Sequence, residues 1–107
     1  EGCSYYKLWK EGKYCNPKIN QFRQHPSDHI EALKTSFKTL LSNVPDSIKY
    51  NIGALSIAST GSTPVAINKL GVPLALTERF KDNPNAMFIL WKDHTAIKNI
   101  VIGYLHY

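Results

Sequence analysis

An α/β layer structure with a mixed sheet and flanking helices is predicted for this chain of 107 residues on three observations. Apolar residues recur at helical spacing from Ile30 to Val44. Two short apolar runs, at residues 52–57 and 87–91, have the length and flanks of buried strands. Turn residues around Asn68 and Gly71 mark a hairpin between those runs.

Taken in order, residues 4–9 are rich in aromatics and fit a strand that stops at Glu11 and Gly12. Residues 16–25 show no periodicity and contain Pro17, so they read as an ordered loop. Pro26, Ser27 and Asp28 open a helix, with the acids Asp28 and Glu31 in its first turn, where the helix dipole favours negative charge. Ile30, Leu33, Phe37, Leu40, Leu41 and Val44 share one face, with Lys34 and Lys38 off it, and Pro45 closes the helix. The run IGALSI at 52–57 is small and apolar on both faces, as in a central buried strand. Residues 65–67 and 72–74 form the hairpin arms, Pro73 holding the second arm to an edge. Residues 82–85 read as loop and MFILW at 87–91 as a buried strand. From Ala96 onward Ile97, Ile100, Val101, Tyr104 and Leu105 return at helical spacing.

The length allows one domain or part of one, and not a two-domain enzyme with a closing cleft. A hydrophobic fraction of 43% is globular composition, and no apolar run reaches the roughly 20 residues of a membrane span. No signal peptide is visible at the N-terminus, although Glu1 is not an initiator methionine and a preceding segment is expected to have been removed. The formal charge is +5, but the 13 Lys and Arg are dispersed among acids and form a solvated surface, not a nucleic-acid face. Cys3 and Cys15 are too few for a stapled secreted module, which points to free thiols and a cytoplasmic protein.

Two polar segments follow the two apolar runs, at the strand ends where α/β sheets gather ligands; if 52–57 and 87–91 are adjacent parallel strands ending at one edge of the sheet, Gly61 and Trp91 line one pocket. Ser59, Thr60, Gly61, Ser62 and Thr63 offer hydroxyls suited to a polyol, and Gly61 lets a ligand approach the backbone. The same residues also suit a turn whose hydroxyls cap their own backbone. The spacing is not that of a phosphate loop. Trp91, Lys92, Asp93 and His94 place an indole, an ammonium, a carboxylate and an imidazole after the second run. An aromatic face with polar neighbours suits a sugar. The alternative is that Trp91 caps the core and Asp93 caps the last helix. His25 and His29 flank Asp28, but His25 precedes Pro26, outside the helix of His29, and a metal needs three or four ligands. No metal site and no catalytic constellation is predicted.

The motifs GKYCNP (12–17), NQFRQHP (20–26), STGSTP (59–64) and DNPNAMFILWKDHTA (82–96) closely resemble the ribulokinase branch of the FGGY carbohydrate kinases. The resemblance covers residues 5–97 in order and spacing, leaving 98–107 as a divergent C-terminal helix or tail. It implies part of the N-terminal, sugar-binding domain, with a ribonuclease H-like (actin-like ATPase) fold. The complete enzyme would use MgATP to phosphorylate the terminal hydroxyl of ribulose, or a related pentulose, in arabinose catabolism. By the resemblance, Ser59, Thr60, Gly61, Ser62, Trp91, Lys92 and Asp93 lie on the sugar side of the cleft, with Gly61 against the sugar. Trp91, Lys92 and Asp93 serve as pocket wall and polar support.

The family's glycine-rich phosphate motif would precede Glu1, and its catalytic aspartate would follow Tyr107. The resemblance therefore implies no phosphoryl transfer by this chain alone. Ala58 stands where family members often carry Asp, and residues 98–107 are apolar and aromatic where the family helix is acidic. A frameshifted or truncated gene, or a piece cut from a longer chain, fits these departures. The rival is a non-catalytic binding module that self-associates through an exposed sheet edge and the terminal helix.

Overall fold

The computed structural model describes residues 1–59 and 61–97. Its elements are a one-turn helix α1 (Lys7–Lys10), strands β1 (Cys15–Asn16) and β2 (Gln21–Gln24), the long helix α2 (Pro26–Ser42), a short helix α3 (Asp46–Lys49) and strand β3 (Phe88–Ile89). The strands form one antiparallel sheet in the order β1-β2-β3. Cys15 pairs with Phe22 and Asn16 with Gln21 on one side of β2; Arg23 pairs with Ile89 and Gln24 with Phe88 on the other.

The predicted strand at 4–9 is instead the approach to α1 and its single turn. A helix this short leaves its first amides unsatisfied, and here Asp28 reaches them from α2: its carboxylate accepts from the amides of Leu8 and Trp9, each at 3.0 Å. Gly12, at φ 72°, ends the turn where expected. Its amide bonds the Trp9 carbonyl while that of Lys13 bonds Leu8, a Schellman closure.

Residues 16–25, read as loop, contain β2. Its sequence QFRQ has no apolar alternation because its buried side chain is Arg23, 4% exposed. Asn20, at φ 54°, makes the turn into it after a 3-10 turn at Pro17–Ile19.

Helix α2 starts at Pro26 as predicted but ends at Ser42, and its predicted apolar face is not the buried one: Ile30, Leu33 and Leu40 are exposed, whereas Pro26, Asp28 and Ala32 are buried. His25 is its N-cap, Nδ1 accepting the Ser27 amide at 3.1 Å. Nε2 lies 3.0 Å from the Lys81 carbonyl, so the neighbours select the tautomer protonated at Nε2. His29 lies between the rings of Tyr6 and Phe88, at centroid distances of 4.5 and 4.7 Å. That burial pushes its pKa below the ordinary value, against a weaker upward pull from Asp28.

The apolar core is small: Ala75, Ala86 and Met87, packed by Tyr14, Leu74 and Phe80. Met87, from the predicted strand at 87–91, is fully buried beside the regular pairing of Phe88 and Ile89. The hairpin is present as a single bridge between Ile67 and Pro73, flanked by bonds from Asn68 to Val72 and from Leu74 to Ala66.

The predicted central strand at 52–57 is not formed. Ile52, Leu55 and Ile57 are 55, 63 and 71% exposed, and among the described residues no strand pairs with them. The sheet is therefore antiparallel, not mixed, and the expected parallel adjacency of 52–57 with 87–91 does not occur. An apolar run needs a neighbouring strand to become one, and β1, β2 and β3 pair only with each other. The predicted terminal helix lies outside the described residues apart from its first two positions.

Candidate functional site: the turn at 90–93 and the segment beside it

The turn carrying the second polar motif is built on β2. Phe22 uses both backbone groups: its carbonyl accepts from Leu90 at 3.2 Å and its amide donates to Asp93 Oδ2 at 2.8 Å. Asp93 N bonds the Leu90 carbonyl at 2.9 Å, closing a four-residue turn, and His94 N bonds Asn20 at 2.9 Å. Trp91 and Lys92 are the two central residues of that turn and point outward, Trp91 being 71% exposed.

Asp93 does not face solvent. Its side chain is 2% exposed and that of Arg23 5%; Arg23 Nε donates to Oδ2 at 2.6 Å and Nη2 to Oδ1 at 3.2 Å. Nη2 also donates to Thr95 Oγ1 at 2.8 Å, while Thr95 donates its amide and hydroxyl to Oδ1 at 3.1 and 2.6 Å. Burial alone would push the Asp93 carboxyl up. The bonds from the Thr95 hydroxyl, the Phe22 and Thr95 amides and Arg23 outweigh it and hold the pKa below the ordinary value.

The segment after Gly61 lies along the outer edge of β3. Ile89 N bonds the Pro64 carbonyl at 3.0 Å, and Trp91 Nε1 donates to the Gly61 carbonyl at 2.7 Å. The two predicted motifs thus meet, although by edge contact and not by parallel strands. Between them is an open, largely apolar recess of about 410 Å³ lined by Gly61, Thr63, Leu90, Trp91 and Lys92. The Lys92 ammonium sits 4.8 Å from the Trp9 ring centre and 4.5 Å from that of Phe22, a cation–π contact on both.

Of the sequence-predicted residues, Gly61, Trp91 and Lys92 line this recess. Ser62 is exposed, in a left-handed conformation at φ 58°, and is not among the residues that line the recess. Ser59 lines a different recess with Tyr6, His29 and Ile57. Thr60 falls outside the described residues. Asp93 supports the turn from behind. Thr63, named in the hydroxyl run but not among the residues the resemblance put on the sugar side, is a recess wall; Arg23 was missed, because its burial depends on a partner 70 residues away. The two histidines have separate partners, and among the described residues no three His, Cys, Asp or Glu side chains gather as metal ligands. Both cysteines are free thiols.

Comparison with curated proteins gives a consistent result. A ribulokinase of Vibrio parahaemolyticus is 43% identical over 93 residues, covering 87% of this chain and 16% of the relative. The chain is a ribulokinase relative. Ribulokinases of Halalkalibacterium halodurans and Geobacillus thermodenitrificans are 34% and 36% identical over 73 residues, or 68% of this chain and 13% of each relative. The chain thus spans about one-sixth or less of the length of these ribulokinases. No protein-family model and no solved structure matches it. Among the described residues no helix is long and apolar enough to cross a membrane.

Proposed function

We propose that this chain provides the sugar side of the substrate cleft of an ATP-dependent ribulokinase, a cytoplasmic FGGY kinase with an actin-like fold. The observation that carries the reading is the recess at Gly61 and Trp91. An exposed indole, anchored by its own N–H to the Gly61 carbonyl, offers an apolar face for sugar carbons. Thr63 and Lys92 line the same recess, and residues that carry a hydroxyl and an ammonium suit the hydroxyls of ribulose or a related pentulose. Asp93 acts as polar support, not as a direct ligand, because its oxygens are already taken.

MgATP is assigned to the complete enzyme. The described residues hold no cluster of three metal-ligating side chains and no glycine-rich phosphate loop. The test is titration of this chain with ribulose, followed by calorimetry. Millimolar or tighter binding, lost in Trp91→Ala with the circular dichroism unchanged, supports the reading; no binding by the parent chain overturns it. A coupled assay with ribulose and MgATP is expected to show no turnover by this chain alone.

A second reading, a non-catalytic self-associating module derived from a kinase remnant, is favoured by the uncovered apolar run at 52–57. Sedimentation equilibrium tests it: a concentration-dependent dimer supports this reading, and a monomer at every concentration ends it.

A further inference from the structure

The interior ion pair behind the recess has no place in the sugar-contacting surface, yet its bonds converge on the turn that carries that surface. Arg23 belongs to β2 and Asp93 to the turn, and their side chains join two strips of backbone remote in sequence. The chain aligns its guanidinium with both carboxylate oxygens, then ties the same nitrogen, Nη2, to Thr95. Every buried side-chain nitrogen and oxygen among the described residues has a partner, so this cluster is a completed network, not an accident of burial. An ion pair taken out of water is a weak source of stability compared with packed apolar groups of the same volume. What it does supply is direction: a planar two-pronged donor fixes both the position and the tilt of a carboxylate.

Asp93 is the fourth residue of the turn, so fixing its side chain fixes where Trp91 and Lys92 emerge. The first residue, Leu90, is held to the same strand through Phe22. With both ends fastened, the turn holds the backbone of Trp91 in place, and the indole N–H meets the Gly61 carbonyl. We propose that Arg23 is a positioning residue for the recess, acting through Asp93 to set the Trp91–Gly61 contact. The proposal rests on the recess being the sugar-facing surface only for its effect on ribulose; the effect on the contact stands apart from it.

The test uses the chain labelled with nitrogen-15 and follows the Trp91 indole N–H. Arg23→Lys keeps the charge and removes the fork. In that variant the Trp91 indole resonance is expected to move toward its position in unstructured peptides. Its solvent exchange should quicken on the order of tenfold, and ribulose affinity should fall by a similar factor, as when a supporting shell is lost. The methyl signals of Ala75, Ala86 and Met87 should stay dispersed. An unchanged Trp91 resonance and exchange rate in a folded Arg23→Lys chain overturns the proposal. Should that variant unfold, Thr95→Val takes its place: it deletes only the Nη2 bond to the hydroxyl and that hydroxyl's bond to Asp93. A smaller shift of the same indole supports the proposal, and none overturns it. If the parent chain fails to bind ribulose, the sugar reading falls, while the indole readout still decides the role of Arg23.

Discussion

The turn at 90–95 and the run at 48–57 hold opposite kinds of residue in opposite surroundings. The first buries a guanidinium and a carboxylate; the second exposes Ile48, Ile52, Leu55 and Ile57, each more than half uncovered. Chemical type alone would have placed them the other way round. The charged pair is buried because every one of its donors and acceptors in the turn meets a partner already present in the chain. The apolar run stays outside because no described strand pairs with it, and only Ile57 lines a recess beside α2. Burial therefore follows the supply of partners, and hydrophobicity expresses only the demand for them.

The strongest way to break this comparison is to remove one member of the pair. Asp93→Ala leaves Arg23 buried without its counter-charge, which costs about 3–5 kcal/mol. Leu55→Ser, at a side chain already in water, should change stability by no more than about 0.5 kcal/mol. Urea denaturation of the two variants measures the difference directly. A Leu55→Ser loss as large as that of Asp93→Ala would mean that the apolar run has a partner after all.

Acid provides a gentler version of the same experiment. The Asp93 carboxyl has a folded pKa below its ordinary 3.8. Its contribution is thus complete above about that pH and is lost as pH falls through the lower folded value. His29 also has a depressed pKa, here below 6.5, because burial between two rings disfavours the imidazolium. Its contribution is likewise complete above 6.5 and declines as the pH drops beneath it. Two descending stages are therefore expected in a plot of urea midpoint against pH. His29→Gln should flatten the stage near neutrality, and Asp93→Asn the acid one. A midpoint independent of pH from 7 down to 3 would contradict both assignments.

These particulars also separate what the sequence made legible from what it did not. Helix α2 was readable because its spacing, its proline start and its first-turn acid are all local signals. The meeting of Gly61 with Trp91 was readable through the family resemblance, although the expected parallel strands are absent and an edge contact takes their place. Strand β2 was hidden because its buried residue is an arginine, and nothing local says that its partner lies 70 residues on. Helix α1 was hidden for the same reason, its cap being Asp28 on another helix. The run at 52–57 misled because its pattern reports a need for burial, which this chain does not meet.

Charge-free polar substitution of the uncovered run sharpens the other side of the comparison. The triple variant Ile52→Ser, Leu55→Ser, Ile57→Ser should leave the thermal midpoint of the chain within a few degrees, because these side chains gain little from folding. Self-association, if it proceeds through this surface, should weaken at least tenfold in sedimentation equilibrium, since three exposed apolar side chains leave the contact together. Unaltered association would move the contact elsewhere on the chain.

The smallest effect on stability, and the most informative about the recess, is expected at Gly61. Its backbone is outside the left-handed region, and an added Cβ would meet no atom of the described residues within 4 Å. Ser62, next in the chain, takes the left-handed conformation in its place, at φ 58°. Nothing in the described fold therefore requires a glycine at 61, and Gly61→Ala should leave stability within about 0.5 kcal/mol of the parent. A reduced entropy of the unfolded chain could even raise it slightly. A ligand lying against the Gly61 backbone imposes a different demand, because a methyl group would occupy its place. Ribulose affinity should then fall while the urea midpoint and the Trp91 indole resonance stay where they were. An alanine variant that binds ribulose as the parent does would show that the sugar rests on Trp91 without touching Gly61. One that loses stability would instead assign the glycine to the fold.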